Sequence, residues 1–385
     1  MRYDNARLAD FSLDAGAKKR GSLDGTFFIL VMLLLTIGVV MVLSSSFARA
    51  YYDPGRITGG NAAYYFIRQL LFALIGTALM ILCSRLPMGV YRRYAWHFMA
   101  ITLILLALVP IVGVKANGSR RWLGVGGLTL QPSELAKIGV ILCFSSLICR
   151  MRGRMESFRY GILPFAAILG LVVGLLILEP HFSASIIIVA VGGVMMFLGG
   201  VRLGWFAGAG GIAAAGIGIL LTLFPYASGR INTWRDPFSS SSDEGYQIVQ
   251  SLYTIGSGGL SGLGLGMSRQ KYLYLPEEHN DFIFSVVCEE LGFIGAALIL
   301  ILFAMLILRG YWIALHCRDR FNFLVVAGVT TLLAIQVFLN VAVVTNLVPC
   351  TGISLPFFSY GGTALLIQLG EMGIILSASR DIIEK

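Results

Sequence analysis

Charge is what this chain has least of. Only 13% of its 385 residues are charged, against 57% hydrophobic, and the mean hydropathy is +0.82. Soluble domains carry about 25% charged residues, so a water-soluble fold is excluded over most of the length. Histidine is also scarce: His97, His181, His279 and His316 have no paired spacing, which argues against a metal centre built on histidines. Cys83, Cys143, Cys149, Cys288, Cys317 and Cys350 form no CxxC pair, and most fall in or beside apolar runs. They read as free buried thiols, and neither a zinc site nor a disulfide framework is indicated. No polar stretch is long enough for a separate soluble domain.

What is present is a series of apolar runs of the length a bilayer requires, about 20 residues. They lie near 26–46, 66–84, 95–113, 132–149, 161–178, 183–200, 204–224, 282–308, 322–345 and 361–379. The chain reads as an all-α polytopic membrane protein with about ten transmembrane helices. Residues 1–25 form an N-terminal tail, 26–379 the membrane domain and 380–385 a C-terminal tail. The first apolar run follows Lys18, Lys19 and Arg20, but it exceeds the 7–15 residues of a typical signal-peptide core and reads as a retained span.

The net charge of +9 would suggest nucleic acid in a soluble protein. Here basic residues instead mark cytoplasmic loops. With both termini cytoplasmic, most of them fall inside, among them Arg85, Arg92, Arg93, Arg150, Arg152, Arg154, Arg309, Arg318 and Arg320. Lys115, Arg120 and Arg121 break the rule by falling in an outer loop. Either a short loop tolerates them or they form a cationic site for an anionic ligand.

One long extracellular loop, 225–281, remains. Ile248, Val249, Leu252, Tyr253 and Ile255 recur at helical spacing within Glu244–Ile255, which predicts a short amphipathic helix at the interface. The glycine-rich run 256–266 follows. With no strand before it and no helix opened by it, a phosphate-binding loop is disfavoured and a flexible hinge is expected.

The loop ends in Leu275-Pro-Glu-Glu-His-Asn-Asp-Phe-Ile-Phe284, and Glu289-Glu-Leu-Gly292 follows within the next span. An acid at the edge of a membrane helix is costly unless paired or used. Asp281 could cap that helix or serve as a general base beside a polar cavity. Glu289 and Glu290 read as buried groups bonded to other helices. Lys137 lies about one turn into the fourth span, within Gln131-Pro-Ser-Glu-Leu-Ala-Lys137. Its partner could be Glu134 on the same helical face, or Asp281 at matching depth on another helix. Arg120 and Arg121 have the fork geometry that suits phosphate oxygens, and Trp122 could stack on a sugar or anchor at the interface. Asn346–Thr363 contains two prolines and three glycines. It should form a non-helical, re-entrant wall to the same outer cavity.

Together, Asn117–Trp122, Gln131-Pro-Ser-Glu134 with Lys137, the Leu275–Phe284 and Glu289–Gly292 stretches, and Pro356-Phe-Phe-Ser-Tyr-Gly-Gly362 resemble the SEDS family (shape, elongation, division and sporulation) in both content and order. The similarity runs over nearly the whole chain and leans toward the FtsW/SpoVE branch rather than RodA. It implies a peptidoglycan glycosyltransferase that polymerises lipid II, with Asp281 as the essential acid and Trp122 and Lys137 as matching site residues. Undecaprenyl diphosphate-linked glycan would be the second substrate. A single-span class B penicillin-binding transpeptidase and further division or sporulation membrane proteins would be partners, in the bacterial plasma membrane.

The expected substrate-binding set is Lys137, Arg120, Arg121, Trp122 and Glu277. No cofactor is required; a divalent cation, Mg or Mn, held by carboxylates and substrate phosphate is compatible. Glu179-Pro-His-Phe-Ser183 departs from the Gln-Pro-Asp-x-Gly of many relatives, so position 181 carries no role by resemblance. A lipid II flippase and a scaffold that only activates a partner synthase are the competing readings.

Overall fold

The computed structural model describes residues 21–52, 58–116, 119–125, 128–208, 210–211, 233–239 and 244–382. Among these, nine helices are long and apolar enough to cross a membrane. They are α1 (Gly25–Tyr51), α2 (Tyr64–Arg85), α3 (Met88–Val112), α4 (Pro132–Arg150), α5 (Leu163–Leu178, entered through a π turn at Phe158–Ile162), α6 (Phe182–Gly199), α8 (Ile283–Leu315), α9 (Arg320–Val344) and α10 (Gly362–Ser379). A tenth, shorter and amphipathic, is α7 (Glu244–Ser257). Each expected span but one is matched. The seventh, 204–224, and both chain tails lie largely outside the described residues.

Burial separates the helices into two groups. The windows of α4 and α9 are 83% and 72% buried, whereas those of α2, α3 and α5 are below 30%. So α4 and α9 form the interior of the bundle, and α2, α3 and α5 present Leu and Ile outward. The interior helices are also the ones that carry polar groups, such as Lys137, Gln336 and Asn340, which only a protein interior or a wet cavity can accommodate. The six cysteines are free.

Two features go beyond the helical expectation. The segment between α3 and α4 folds as a three-stranded antiparallel sheet, β1 (Val114–Ala116), β2 (Ser119–Val125) and β3 (Leu128–Leu130). Thr363 donates to the Thr129 carbonyl at 2.7 Å, which ties this sheet to the start of α10. The second feature is the glycine-rich run, which is built into the bundle and does not stand as a free hinge. Helix α8 breaks at Gly292 (φ 68°, ψ −173°). The run fills the break: Leu263 and Gly264 N–H donate to the carbonyls of Glu289 and Glu290, and Phe293 and Ile294 N–H donate back to Gly259 and Leu260. A Cβ on Gly262 would stand 2.2 Å from the Glu290 carbonyl oxygen, and Gly262 itself has φ 78°. Glycine is required there by close backbone approach.

Helix α7 forms where its periodicity places it, but it packs inward. Ser251 is buried, within 2.8 Å of Ser285 on α8, and donates to the Val344 carbonyl at 2.7 Å. Tyr246 and Tyr253 face outward.

Candidate active site

Asp281 sits two residues before α8, held by its backbone. Asn340 of α9 donates through one amide group to two carbonyls, Asp281 at 2.8 Å and Ile353 at 2.7 Å. This fastens the acid-bearing loop to the re-entrant segment between α9 and α10. Ser359 donates to the Asn280 carbonyl at 2.8 Å, and Tyr360 N–H to the His279 carbonyl at 2.9 Å. Gly352 (φ 64°) lies so close that a Cβ would come within 3.1 Å of Asp281 Oδ2. The non-helical wall expected from the prolines and glycines is therefore present, and it lines the cavity from Gly352 to Gly361.

That cavity has a volume of about 340 Å³. The acid loop contributes Glu277, Asn280 and Asp281 to its lining, and β2 with the starts of α4 and α6 contributes Arg121, Trp122, Gln131, Glu134, Lys137 and His181. Gln336 and Gln368 also line it. Sequence reasoning passed over both, although a polar side chain within an apolar run was the available signal. The carboxylate of Asp281 is half-buried and accepts no hydrogen bond from any described residue. Burial pushes its pKa up to about 6; Glu277 adds to the shift, and His279 and Arg121 oppose it.

Lys137 is only 3% exposed, and its ammonium pairs with Glu134 at 2.7 Å. The local partner is thus the one that holds it, because residues three apart on a helix are neighbours. Asp281 shares the cavity with Lys137 without forming an ion pair with it. Arg121 reaches across to donate to the Pro180 carbonyl at 2.6 Å, pinning the sheet to the α5–α6 turn. Arg120 does not join the site. Its side chain is exposed and donates to the Pro110 carbonyl at 3.2 Å, at the end of α3. Successive strand residues point to opposite faces, which separates Arg120 from Arg121. Glu277 accepts from the Asn280 amide within the acid loop.

Glu289 and Glu290 are accounted for elsewhere. Glu290 accepts from Lys271 (2.9 Å), Ser44 (2.6 Å), Gly266 N–H (3.0 Å) and Ser268 N–H (3.3 Å). Glu289 accepts from Ser257 (3.2 Å), Arg269 N–H (3.1 Å) and the Ser268 hydroxyl. Both fasten the long loop to α8, as expected for structural acids. Among the described residues no cluster of three or more His, Cys, Asp or Glu side chains could hold a metal ion.

A helical membrane bundle with an acid and cations lining one polar cavity is the class defined by this geometry. Residues 25–383 match the FtsW/RodA/SpoVE family of cell cycle proteins, and the chain belongs to that family. It is 40% identical over 364 residues to stage V sporulation protein E of Bacillus subtilis, covering 94% of this chain and 98% of the relative. It is 38% identical over 361 residues to a probable peptidoglycan glycosyltransferase FtsW of Trichlorobacter lovleyi, covering 92% and 93%. Among solved structures it resembles a chain from a peptidoglycan synthase complex described as coordinating polymerization and crosslinking (TM-score 0.77, 28% identity, 94% and 98% covered). It also resembles the rod shape determining protein RodA of Thermus thermophilus (TM-score 0.66, 28% identity, 94% and 99% covered).

Proposed function

We infer that this chain is a membrane-embedded peptidoglycan glycosyltransferase that polymerises lipid II, with Asp281 as general base. The observation that carries the reading is the half-buried, unbonded Asp281 carboxylate, which shares one polar cavity with Arg121 and Lys137. The names of the relatives support the reaction class. Higher identity to the FtsW and SpoVE relatives than to RodA favours a division or sporulation role.

In this mechanism Asp281 takes the proton from the C4 hydroxyl of the acceptor sugar. That oxygen attacks the anomeric carbon of the lipid-linked strand and inverts it. The bond to phosphate breaks, and its electron pair leaves on undecaprenyl diphosphate. Arg121 and Lys137 offset the charge that builds on the leaving group, an electrostatic contribution that commonly dominates such steps. Trp122 stacks on a sugar face, and Glu277 keeps the acid loop in place and helps hold Asp281 at a pKa useful for base catalysis near neutrality.

Both termini lie in the cytoplasm and the cavity opens on the outer face, which the distribution of basic residues supports. A single-span class B transpeptidase is the partner, in line with the synthase complex that this fold resembles. Purified protein with that partner should convert lipid II into glycan polymer, and Asp281→Ala should stop it while leaving thermal unfolding unchanged. Normal polymer from the variant would overturn the assignment, and translocation of lipid II without polymerisation would favour the flippase reading.

A further inference from the structure

His181 lines the cavity, is not used by the mechanism above, and stands where many relatives carry an aspartate. It stands immediately before α6, is buried, and lines the cavity next to Gln131, Arg121 and Lys137. Its backbone is fixed, with N–H donating to the Leu176 carbonyl and the carbonyl accepting from Ser185. Its Nδ1 is buried and has no hydrogen-bond partner. Its Nε2 lies 3.5 Å from the Gln131 amide nitrogen.

A neutral imidazole has one N–H and one bare nitrogen. An N–H at Nδ1 would be buried with no acceptor, a costly arrangement. The proton therefore belongs on Nε2, the edge next to Gln131. Turning the Gln131 amide over would offer its oxygen to that N–H. At 3.5 Å the bond would be weak, so the donor stays available to a ligand.

The charges around the ring indicate which ligand. Burial, Arg121 and Lys137 together hold the imidazole neutral, its pKa lowered to about 3. Glu179, two residues earlier, is fully buried with neither oxygen bonded, and burial pushes its pKa up to about 8 against the pull of Arg121. It supplies no full counter-charge at neutral pH. Glu134 is engaged with Lys137, and Glu277 and Asp281 reach the cavity from the acid loop before α8. The corner between β2, α4 and α6 thus gathers guanidinium, ammonium, imidazole and amide donors.

We propose that His181 is a further substrate-binding residue, whose Nε2–H donates to a diphosphate oxygen of the lipid-linked substrate between Arg121 and Lys137. The proposal rests on the glycosyltransferase reading and adds to it the residue that completes the anion subsite. A hydrogen bond to a charged group is worth about 10-fold or more in affinity.

The test uses the full-length protein with its transpeptidase partner. His181→Ala should raise KM for lipid II, and the inhibition constant for undecaprenyl diphosphate, by about 10-fold each, with kcat within about threefold. His181→Gln, which can place an amide N–H near the Nε2 position, should recover most of both. His181→Leu, which fills the same space without a donor, should be no better than alanine. In an Asp281→Asn background, undecaprenyl diphosphate should raise the thermal unfolding temperature more than undecaprenyl monophosphate, and His181→Ala should remove that difference. Unchanged KM and inhibition constant in His181→Ala, or equal behaviour of the leucine and glutamine variants, would overturn the proposal. If His181→Ala fails to fold, the glutamine and leucine variants decide it by the same two constants. Continued polymerisation by Asp281→Asn would instead overturn the underlying reading, so the two failures are distinguishable.

Discussion

Asp281 and Glu290 belong to one short segment, and their surroundings are opposite. Glu290 is buried with a lysine, a serine hydroxyl and two backbone N–H groups around it. Asp281 has its backbone tied down by Asn340 while its carboxylate faces a polar cavity without a protein donor among the described residues. Buried charges are tolerated when every lone pair is met. An acid left unmet beside a cavity is a cost to the fold, and such costs collect where chemistry is done. The difference identifies one carboxylate as a fastening and the other as a reactive group.

The sharpest way to break the comparison is to neutralise each acid in turn. Asp281→Asn should lower polymerisation by about 10²–10⁴-fold, the usual contribution of a general base. Its thermal stability at neutral pH should be equal to or above that of the parent. The sign follows from the raised pKa: with the folded value near 6, above that of an exposed aspartate, ionisation weakens the fold as pH rises through this range, and asparagine removes that penalty. Glu290→Gln should do the reverse, costing stability by about 3–5 kcal/mol because Lys271 is left buried and unpaired. Activity should fall only as folded protein is lost.

Next in size, Lys137→Met should lower kcat by about 10²–10³-fold, as loss of a preorganised charge commonly does. The pH dependence is a milder probe of the same acid. Polymerisation should fall as pH drops through about 6, where Asp281 takes up a proton, and Glu277→Gln should move that midpoint downward, since the neighbouring charge helps raise it. Smallest of all, Arg120→Ala should change the rate by no more than about twofold, because an exposed arginine bonded to a helix-end carbonyl carries little. A large loss there would mean that Arg120 reaches the substrate.

Much of this architecture was legible from residue order. The apolar runs located the spans, and the rarity of charge within them singled out Lys137 and Asp281. The prolines and glycines of Asn346–Thr363 announced a broken wall. Other features depend on contacts between distant segments. Nothing in the glycine-rich run reveals that it fills a break in α8, since the bonds are backbone to backbone and leave no periodicity. Lys137 had two acids at suitable depth, and the helical neighbour Glu134 won. Arg120 and Arg121 could have been separated by strand alternation, had the hairpin been recognised. His181 departs from the aspartate of many relatives, so resemblance gave it no role; only its place beside two cations does.

The most direct test of the account pairs two measurements on Asp281→Asn and Glu290→Gln: lipid II polymerisation with the transpeptidase partner present, and thermal unfolding of the same preparations. The account predicts a stable, inactive Asp281 variant and an unstable Glu290 variant that is active while folded. A polymerising Asp281→Asn protein, or one whose inactivity simply follows its unfolding, would contradict it.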